Sequence, residues 1–435
     1  MDYKETIQYL YDALPVFHRI GKAAYKANLN NSMLLDEYFG HPHKKYKTVH
    51  VAGTNGKGSV SHIIASALHS AGYKTGLYTS PHLFDFRERI KINGQEIPER
   101  KVIDFVETNK SFIESLKPSF FEITSSMAFW FFAEERVDVA VIETGMGGRL
   151  DSTNIITPEL SVITNIGYDH VEFLGNSLME IAAEKAGIIK RGVPVVVGEK
   201  HEQTTEVFVA KAKEADSTLF FAEDCLSVSA TENKSGKQIF TLVSRDRELF
   251  PDNGFAAALD LEGIYQSKNM VTALVSLAVL KKQSFEIGSE AEREGTANAA
   301  ANTGFRGRWQ VLKKNPTVIC DTGHNAHGLK YCMKQLEEMK YGKLYFVLGV
   351  VSDKDLDSVI PLLPENAYYF FTQASIPRAM DAGMLADRCT KAGLNGEAVG
   401  RVDEAVRKAV EKATANDVIF IGGSTYVVAE AAISQ

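Results

Sequence analysis

A glycine-rich turn between an apolar run and an amphipathic stretch constrains the fold of this chain more than any other feature. The run TVHVA ends at Ala52, GTNGKGS follows over 53–59, and apolar residues then recur with the three- and four-residue spacing of a helix. Glycines let backbone N–H groups approach phosphate oxygens, and the start of a helix adds a favourable dipole. The pattern therefore predicts a strand, a phosphate-binding loop and a helix, as in a nucleotide-binding α/β domain.

The loop residues have distinct expected parts. Lys57 supplies a point charge, and Ser59 offers a hydroxyl to a phosphate or a metal ion. The residues expected to contact ATP here are Gly53, Thr54, Asn55, Gly56, Lys57, Gly58 and Ser59. The ordinary pattern G-x-x-x-x-G-K-[ST] does not fit, because Val51 stands at its first glycine and Gly58 follows the lysine. A glycine-rich turn with a surface lysine is the simpler alternative.

Alternation of short β-branched runs with helical spacing predicts an α/β fold, with a parallel sheet covered by helices on both faces. We expect an N-terminal P-loop ATPase domain over 1–295, which includes a polar, β-rich stretch from about Phe220 and a helix over 267–282. The small, polar segment 288–304 is expected to be a linker or an exposed loop, with the linker proper at 296–305. Residues 306–435 alternate again and predict a smaller, Rossmann-like α/β domain.

Composition excludes several classes of partner. The formal net charge of −7 gives no overall reason to expect nucleic acid or an anionic membrane as a partner. We see neither a signal peptide nor an apolar run long enough to span a bilayer, so we expect a cytoplasmic protein. The four cysteines lack the paired spacing of a disulfide framework or a zinc site.

Oxygen and nitrogen ligands for a metal follow several predicted strands. Ser80 ends KTGLYTS, Glu143 ends VDVAVIE, and Asp169 and His170 come shortly after SVITNIG. Because the carboxyl ends of parallel strands meet at one edge of a sheet, we expect these residues near the phosphates, where Mg²⁺ needs hard ligands. For Glu143 alone a solvated strand-end carboxylate is a comparable interpretation, and a lone His170 is more often structural.

Lys185 lies on the apolar face of a predicted helix. In NSLMEIAAEKAGIIK, Ser177 and Glu180 form a capping box, and Lys185 shares a helical face with Leu178 and Ile181. One interpretation has Lys185 extending to water or pairing with Glu143, because buried lysines are rare unless paired. The alternative is carbamylation by CO₂, which would convert the amine into a carboxylate able to bind a second Mg²⁺.

The chain resembles the folylpolyglutamate synthase/dihydrofolate synthase family of the Mur ligase superfamily over nearly its whole length. The stretches that carry the resemblance are GTNGKGS (53–59), TSPHL (79–83), FRERIKING (86–94), FFEITSSMAF (120–129), ETGMGGRLDSTN (143–154), ITNIGYDH (163–170), EKAGIIK (184–190), GIYQSKN (263–269), FRGRW (305–309) and DTGHN (321–325). TSPHL, the F-E-x-x-T-x-x-A-F stretch and EKAGI distinguish the folate enzymes from the peptidoglycan members. The resemblance implies a first domain of the Mur ligase central-domain type and a C-terminal Mur ligase domain.

The resemblance also implies roles for matching residues. Lys57 and Ser59 would hold the ATP phosphates, while Ser80, Glu143, His170 and the carbamate of Lys185 would hold magnesium, as two ions. Asn269 would contact adenine, and Arg308, Asp321 and His324 would contact the nucleotide from the linker and second domain, with Arg306 as the alternative to Arg308. The catalytic residues would be Lys57, Lys185 and His170, with His170 acting as a ligand rather than as a base. The pterin side of the substrate would lie along Phe121, Glu122, Leu150, Asp151 and Ser152.

The implied reaction is ATP-dependent addition of L-glutamate to dihydropteroate, to the γ-carboxylate of a reduced folate, or to both, through an acyl phosphate. The family resemblance predicts a bifunctional enzyme and a monomer. Other interpretations are a P-loop kinase, a peptidoglycan-type or other Mur amide ligase, and a nucleotide-binding protein without catalysis. A kinase would use the ordinary loop, a peptidoglycan enzyme should carry a UDP-sugar domain before the loop, and an inactive binder should lack Lys57, Glu143, His170 or Lys185.

Overall fold

The computed structural model describes residues 1–14, 28–352 and 355–433. The chain divides into two compact units. The first unit comprises Met1–Asp260 and Gln266–Phe305, and the second comprises Leu261–Tyr265 and Arg306–Gln435. The chain thus passes from one unit to the other three times, after Asp260, after Tyr265 and after Phe305.

The first unit is built on an eight-stranded sheet. Its strands are β1 (Lys47–Ala52), β2 (Thr75–Tyr78), β3 (Ile90–Ile92), β4 (Gln95–Glu96), β5 (Val139–Glu143), β6 (Leu160–Ile163), β7 (Val195–Val197) and β8 (Leu219–Phe221), in the order β4-β3-β2-β5-β1-β6-β7-β8. The pairs from β2 to β8 in that order are parallel, and β3 and β4 add antiparallel partners at one edge. The central strands are buried throughout, which explains their continuous apolar runs and confirms the predicted parallel sheet.

Helices flank this sheet. They are α1 (Tyr3–Ala13), α2 (Asn30–Tyr38), α3 (Lys57–Ser70), α4 (Glu99–Leu116), α5 (Phe120–Glu134), α6 (Val171–Leu174), α7 (Leu178–Ala186), α8 (Thr205–Glu214), α9 (Ala222–Cys225), α10 (Gln266–Lys282), α11 (Ser289–Ala297) and α12 (Ala299–Thr303). Short 3-10 turns occupy Pro42–Lys45, Phe86–Arg89 and Ser152–Ile155. The predicted capping box at the start of α7 is confirmed, because Ser177 accepts the Glu180 N–H and the Glu180 side chain accepts the Ser177 N–H.

The β-rich stretch forms a separate antiparallel sheet in the first unit. Its strands β9 (Leu226–Lys234), β10 (Lys237–Ser244) and β11 (Gly254–Leu259) lie in the order β11-β10-β9. The helix expected over 267–282 is α10, which begins one residue earlier and is buried along most of its length.

The expectation of a linker or exposed loop over 288–304 is wrong. This segment forms α11 and α12, and both pack against α3, the helix that follows the glycine loop. The Ser66 hydroxyl donates to Gly295 O (2.6 Å), and Lys91 Nζ donates to Thr303 O (2.8 Å). Glycine and alanine give this segment little apolar surface in the sequence, but they let its backbone approach α3 closely.

The second unit is a smaller α/β unit, as predicted. Its strands are β12 (Gln310–Lys314), β13 (Thr317–Cys320), β14 (Leu344–Leu348), β15 (Tyr368–Thr372), β16 (Asn395–Val399) and β17 (Val418–Gly422), in the order β12-β13-β17-β14-β15-β16. Its helices are α13 (Ala326–Glu338), α14 (Leu356–Val359), α15 (Ala382–Lys391), α16 (Val402–Lys412) and α17 (Thr425–Ile433), with a 3-10 turn at Ile360–Leu362. All strand pairs except β12 with β13 are parallel. Among the described residues, no helix combines the length and apolar character needed to cross a membrane.

Candidate active site

The glycine loop has a shape that only glycine permits at two positions. Gly53 has φ +149°, and a Cβ there would lie 1.8 Å from the Thr164 hydroxyl oxygen. Gly56 has φ +83°, and a Cβ there would lie 2.2 Å from Asn269 Oδ1. At both positions the loop backbone lies against a neighbouring side chain, with no space for a Cβ. A phosphate-binding loop needs such a backbone, because its N–H groups must approach phosphate oxygens closely.

The loop is fastened to the segment that follows β6. The Thr54 N–H donates to Asn165 O (3.0 Å), and the Asn55 N–H donates to Asn165 Oδ1 (2.9 Å). The Thr164 hydroxyl donates in turn to Asn55 O (2.6 Å). These bonds fix the loop conformation from within the protein, so the cradle is organised before any ligand binds.

Lys57 and Ser59 lie at the start of α3. Lys57 Nζ donates to Gly53 O (3.2 Å) and to Thr54 O (3.3 Å), so its amine folds back over the loop. Ser59 is buried, and its hydroxyl accepts a hydrogen bond from Gln266 Nε2 (3.2 Å).

Gln266 is a site residue that the sequence analysis did not single out. It is fully buried, and its Oε1 accepts a hydrogen bond from Asn269 Nδ2 (2.8 Å). It therefore connects the predicted adenine contact, Asn269, to the predicted phosphate contact, Ser59. Its position one helical turn before Asn269 was the signal that could have found it, because residues three apart share a helix face.

Ser80 and Glu143 meet at the carboxyl edge of the sheet, as the strand order predicts. The Ser80 N–H donates to Glu143 Oε2 (3.0 Å), and Glu143 is buried. Glu143 Oε2 lies 3.8 Å from the position that a Cβ on Gly58 would occupy, so this carboxylate borders the glycine loop.

His170 lies in the segment after β6, the strand beside β1. It has φ +50° and precedes α6, and its Nε2 is 4.0 Å from Asp169 Oδ2. Within the described parts of the chain, no three His, Cys, Asp or Glu side chains gather as a metal cage. Mg²⁺ commonly takes one or two carboxylates and completes its shell with phosphate oxygens and water.

Lys185 is buried in α7, with 3% of its surface exposed. The interpretation in which its amine extends to water is therefore wrong. Its Nζ donates to Gly53 O (2.8 Å), and it makes no ion pair within 4 Å among the described residues. Burial, and then the nearby charge of Lys57, lower the pKa of Lys185 to about 7. A substantial fraction of this amine is therefore neutral, and hence nucleophilic, at neutral pH.

Two predicted pterin-side carboxylates have protein partners. Glu122 accepts the Ser119 N–H (2.5 Å) in a capping box and also accepts from Asn31 Nδ2 (3.1 Å). Asp151 is buried, and it accepts from the N–H groups of Gly145, Met146 and Thr153 at 2.8–3.0 Å. Burial raises the pKa of Asp151. These bonds show that both carboxylates shape the local backbone.

The other predicted pterin-side residues surround the segment after β5. The Phe121 ring lies 5.9 Å from that of Tyr78, and a Cβ on Gly145 would lie 2.4 Å from the Phe121 ring. Leu150 is half-buried and Ser152 is buried. The aromatic rings of Phe121 and Tyr78 thus lie beside the segment that follows Glu143.

The second unit holds the remaining predicted residues near the end of β13. Asp321 is buried and accepts hydrogen bonds from the Tyr265 hydroxyl (2.5 Å) and the Trp309 N–H (2.7 Å). His324 Nδ1 lies 3.1 Å from Thr322 O. Arg308 directly precedes Trp309, so its backbone lies beside Asp321, and His324 follows Asp321 by three residues along the chain.

Comparison with protein families gives matches to both parts of the chain. Residues 51–277 match the Mur ligase middle domain, and residues 307–425 match the Mur ligase, glutamate ligase domain. The first match alone spans more than half of the chain.

Curated relatives carry folate-enzyme names. The chain is 33% identical over 433 residues to the dihydrofolate synthase/folylpolyglutamate synthase of Bacillus subtilis, covering 96% of this chain and 97% of that protein. It is 31% identical to a probable bifunctional folylpolyglutamate synthase/dihydropteroate synthase of Haloferax volcanii, covering 99% of this chain and 50% of that protein. The chain therefore spans about half the length of the second relative and nearly all of the first.

Solved structures agree with the sequence relatives. E. coli FolC in complex with DHPP and ADP superposes with a TM-score of 0.84 at 29% identity, over 99% of this chain and 96% of that one. The bifunctional folylpolyglutamate synthase/dihydrofolate synthase of Yersinia pestis, complexed with AMPPNP and Mn ion, gives a TM-score of 0.82 at 28% identity, over 99% and 97%. With the loop, the strand-edge residues and both domain matches in agreement, the chain belongs to the folylpolyglutamate synthase/dihydrofolate synthase family of the Mur ligases.

Proposed function

We propose that this chain, an ATP-dependent ligase by family, adds L-glutamate both to dihydropteroate and to the γ-carboxylate of a reduced folate. The observation that carries the proposal is the arrangement around Gly53, whose carbonyl oxygen accepts hydrogen bonds from the amines of both Lys57 and Lys185. A phosphate-binding loop with a second, buried lysine beside it serves an ATP-dependent ligase better than a kinase, which has no use for Lys185.

The glycine loop would bind the phosphates of ATP. Its backbone N–H groups and the dipole of α3 favour phosphate oxygens, and Lys57 would swing from its carbonyl partners to neutralise their charge. Asn269 would contact adenine, and Gln266 would hold the side chains of Asn269 and Ser59 in place through its two hydrogen bonds. The nucleotide contacts of Arg308, Asp321 and His324 stay predictions.

Magnesium would be held by Ser80, Glu143, His170 and a carbamate on Lys185. The neutral Lys185 amine would attack CO₂, forming an N–C bond while the electrons of one C=O π bond move to oxygen; the nitrogen then releases a proton, so that a buried amine becomes a carboxylate. The buried position of Lys185 beside the loop supports this role, and the oxygen donors of Ser80 and Glu143 suit the metal. When bound, Mg²⁺ would neutralise charge on the transferring phosphoryl group.

The chemistry would proceed in two substitutions. The carboxylate of the acid substrate attacks the γ-phosphorus of ATP, the bond from that phosphorus to ADP breaks, and an acyl phosphate forms. The α-amino nitrogen of L-glutamate then attacks the acyl carbon, phosphate leaves with its bonding electron pair, and the nitrogen loses a proton to give the amide. The chain contributes mainly position and charge, through Lys57 and the residues around Glu143.

The acid substrate would lie against Phe121, Glu122, Leu150, Asp151 and Ser152. The buried bonds of Glu122 and Asp151 suggest that these two residues shape the pocket through the backbone, while the ring of Phe121 offers a surface for the pterin. The monomeric state and the cytoplasmic location stay predictions from the sequence.

The proposal is tested by measuring phosphate release from MgATP and L-glutamate with dihydropteroate, with tetrahydrofolate and with neither acid, and by identifying products by mass. We expect release with both acids, dependent on glutamate. Release with only one acid would limit the chain to one of the two activities. Release with neither would overturn the proposal in favour of another Mur-type amide ligase.

A further inference from the structure

His50 is a buried imidazole that the proposed chemistry does not use. It lies in β1, shortly before the glycine loop, and none of its surface is exposed. Its Nδ1 has no hydrogen-bond partner among the described residues. A buried polar atom without a partner costs free energy, which an apolar side chain at this position of the sheet would avoid. The presence of histidine here therefore needs a reason other than the stability of the sheet.

The other imidazole nitrogen begins a series of hydrogen bonds that ends at a carboxylate. His50 Nε2 lies 2.9 Å from the Thr153 hydroxyl oxygen, and that hydroxyl donates to Asp151 Oδ1 (2.5 Å). All three residues are buried. Because a hydroxyl has one hydrogen and Thr153 donates it to Asp151, its oxygen must accept from His50. The imidazole is therefore the tautomer with its hydrogen on Nε2, and Nδ1 is an unpaired acceptor.

Asp151 connects this series to the backbone after β5. Its Oδ2 accepts the N–H groups of Gly145 (2.8 Å) and Met146 (2.9 Å), and its Oδ1 also accepts the Thr153 N–H (3.0 Å). Gly145 lies directly against Phe121, since a Cβ on Gly145 would come within 2.4 Å of that ring. The orientation of the Asp151 carboxylate thus sets the backbone beside a ring on the predicted pterin side.

We infer that His50 and Thr153 are positioning residues for the acid substrate, which orient the Asp151 carboxylate and, through it, the segment over 145–151. The inference rests on the proposed placement of that substrate along Phe121 and Asp151. His50 also lies on the strand that leads into the glycine loop, so a variant that disturbed β1 as a whole would change nucleotide binding. An effect confined to the acid substrate therefore separates the positioning of Asp151 from general damage to the sheet.

The first test does not depend on activity, because it determines the tautomer of His50. Nitrogen NMR of the histidine side chains is recorded at about pH 8, where an imidazole is neutral. Comparison with the spectrum of His50→Gln assigns the two His50 signals. We expect hydrogen on Nε2 and none on Nδ1. Hydrogen on Nδ1 would require the Thr153 hydroxyl to donate to Nε2 instead of to Asp151, and would overturn the inference.

The second test measures kcat and KM for MgATP and for each acid that the wild type accepts. His50→Leu and Thr153→Val each remove one hydrogen bond of the series. Each should raise KM for the acid on the order of tenfold and change KM for MgATP by less than about twofold. His50→Gln and Thr153→Ser should recover most of the wild-type values, because a glutamine amide nitrogen can replace Nε2 as donor and serine keeps the hydroxyl. If His50→Leu fails to fold, Thr153→Val serves alone.

Ser161→Ala is the matched control. Ser161 pairs with His50 across β1 and β6, is equally buried, and donates to Ile188 O (2.8 Å), outside the series. This variant should leave KM for the acid unchanged. Equal rises in KM for the acid and for MgATP in His50→Leu would indicate damage to the sheet and overturn the inference. Unchanged KM for the acid in both His50→Leu and Thr153→Val would also overturn it.

The proposed function and this inference fail in different ways. Phosphate release with neither acid in the wild type would remove the proposed function, and the inference with it, even if NMR places the hydrogen on Nε2 of His50. Release in the wild type together with unchanged KM values in His50→Leu and Thr153→Val would keep the proposed function and remove only the positioning role.

Discussion

At the scale of single residues, burial lowers the pKa of the Lys185 amine and so favours its neutral form. Its amine is removed from water and lies against the carbonyl oxygen of Gly53, near the second amine of Lys57. Both burial and the like charge disfavour the ammonium form. The proposed reaction of the neutral amine with CO₂ would replace one of two neighbouring cations by a carboxylate.

We predict that Lys185→Ala lowers kcat on the order of a hundredfold or more, because the proposed carbamate ligand to Mg²⁺ would be lost. Millimolar acetate, or another small carboxylate, should restore part of the activity. Lys190→Ala is the matched control, since Lys190 Nζ also donates to a backbone carbonyl, Asn154 O at 2.9 Å, but is not among the predicted site residues. Steady-state kinetics measure both variants. Full activity in Lys185→Ala would remove the carbamate from the mechanism.

His50 predicts a dependence of stability on pH. It is fully buried in β1, its Nε2 lies 2.9 Å from the Thr153 hydroxyl oxygen, and its Nδ1 has no hydrogen-bond partner among the described residues. Burial lowers the pKa of His50 to about 3. The unfolded chain therefore takes up this proton near pH 6.5 and the folded chain only near pH 3, so this contribution to stability is lost as pH falls through that window.

Between pH 7 and pH 5 the wild type should lose about 2 kcal/mol of unfolding free energy more than His50→Gln. The buried His50 side chain supplies this difference, because glutamine does not titrate. Urea unfolding of the first unit at the two pH values measures it. His201→Gln, at an exposed histidine, should behave as the wild type does. An equal pH dependence in His50→Gln and wild type would contradict the buried, neutral imidazole.

At the scale of elements, α11 and α12 support the helix that begins at the glycine loop. His62 on α3 lies 2.7 Å from the Thr303 hydroxyl oxygen and stacks on Phe305, with 4.1 Å between ring centroids. Gly295 approaches α3 so closely that a Cβ there would lie 2.5 Å from Ala67 Cα. The packing of these elements therefore depends on the absence of a side chain at Gly295.

We predict that Gly295→Ala destabilises the first unit by about 1–3 kcal/mol, because the added methyl group meets backbone that cannot move freely. Gly288→Ala is the matched control: this glycine precedes α11, has an ordinary φ of −65°, and has nothing within 4 Å of its Cβ position. Urea denaturation measures both. Equal stability in the two variants would contradict the close approach of α11 to α3.

The sequence predicted those elements whose patterns are local. The buried strands β1, β5 and β6 are short and rich in Val, Ile and Leu, and the glycine loop has its own signature. The half-exposed strand β16, which contains Gly396, and the helices over 289–303 lack such patterns. Their formation depends on packing against distant parts of the chain, and a single sequence does not show that packing.

At the scale of the whole molecule, the parallel-sheet rule explains which site residues could be predicted. Because β2, β5, β1 and β6 are neighbours, their carboxyl ends bring Ser80, Glu143 and the glycine loop to one edge. Gln266 and Tyr265 were not assigned roles in advance, since their partners lie far away in the sequence. The hydrogen bonds that organise the site are thus less predictable than the residues expected to touch the ligands.

Nucleotide binding should appear in the thermal stability of the whole chain. A ligand that binds only the folded state stabilises it by about 2.7 kcal/mol at a hundred times its Kd, so MgATP should raise the unfolding temperature of the unit that contains the glycine loop. Lys57→Ala should abolish most of this rise, because Lys57 Nζ lies at the loop carbonyls of Gly53 and Thr54 and is the cation expected to meet the phosphates. Lys200→Ala, which removes an exposed ion pair with Asp224 elsewhere in the first unit, should keep the rise in unfolding temperature.

Differential scanning calorimetry with MgATP, with ATP and excess EDTA, and without nucleotide separates the contributions of the metal and the nucleotide. An equal rise in Lys57→Ala and wild type would mean that the nucleotide binds away from the glycine loop, and the assignment of the loop as the phosphate site would then be wrong.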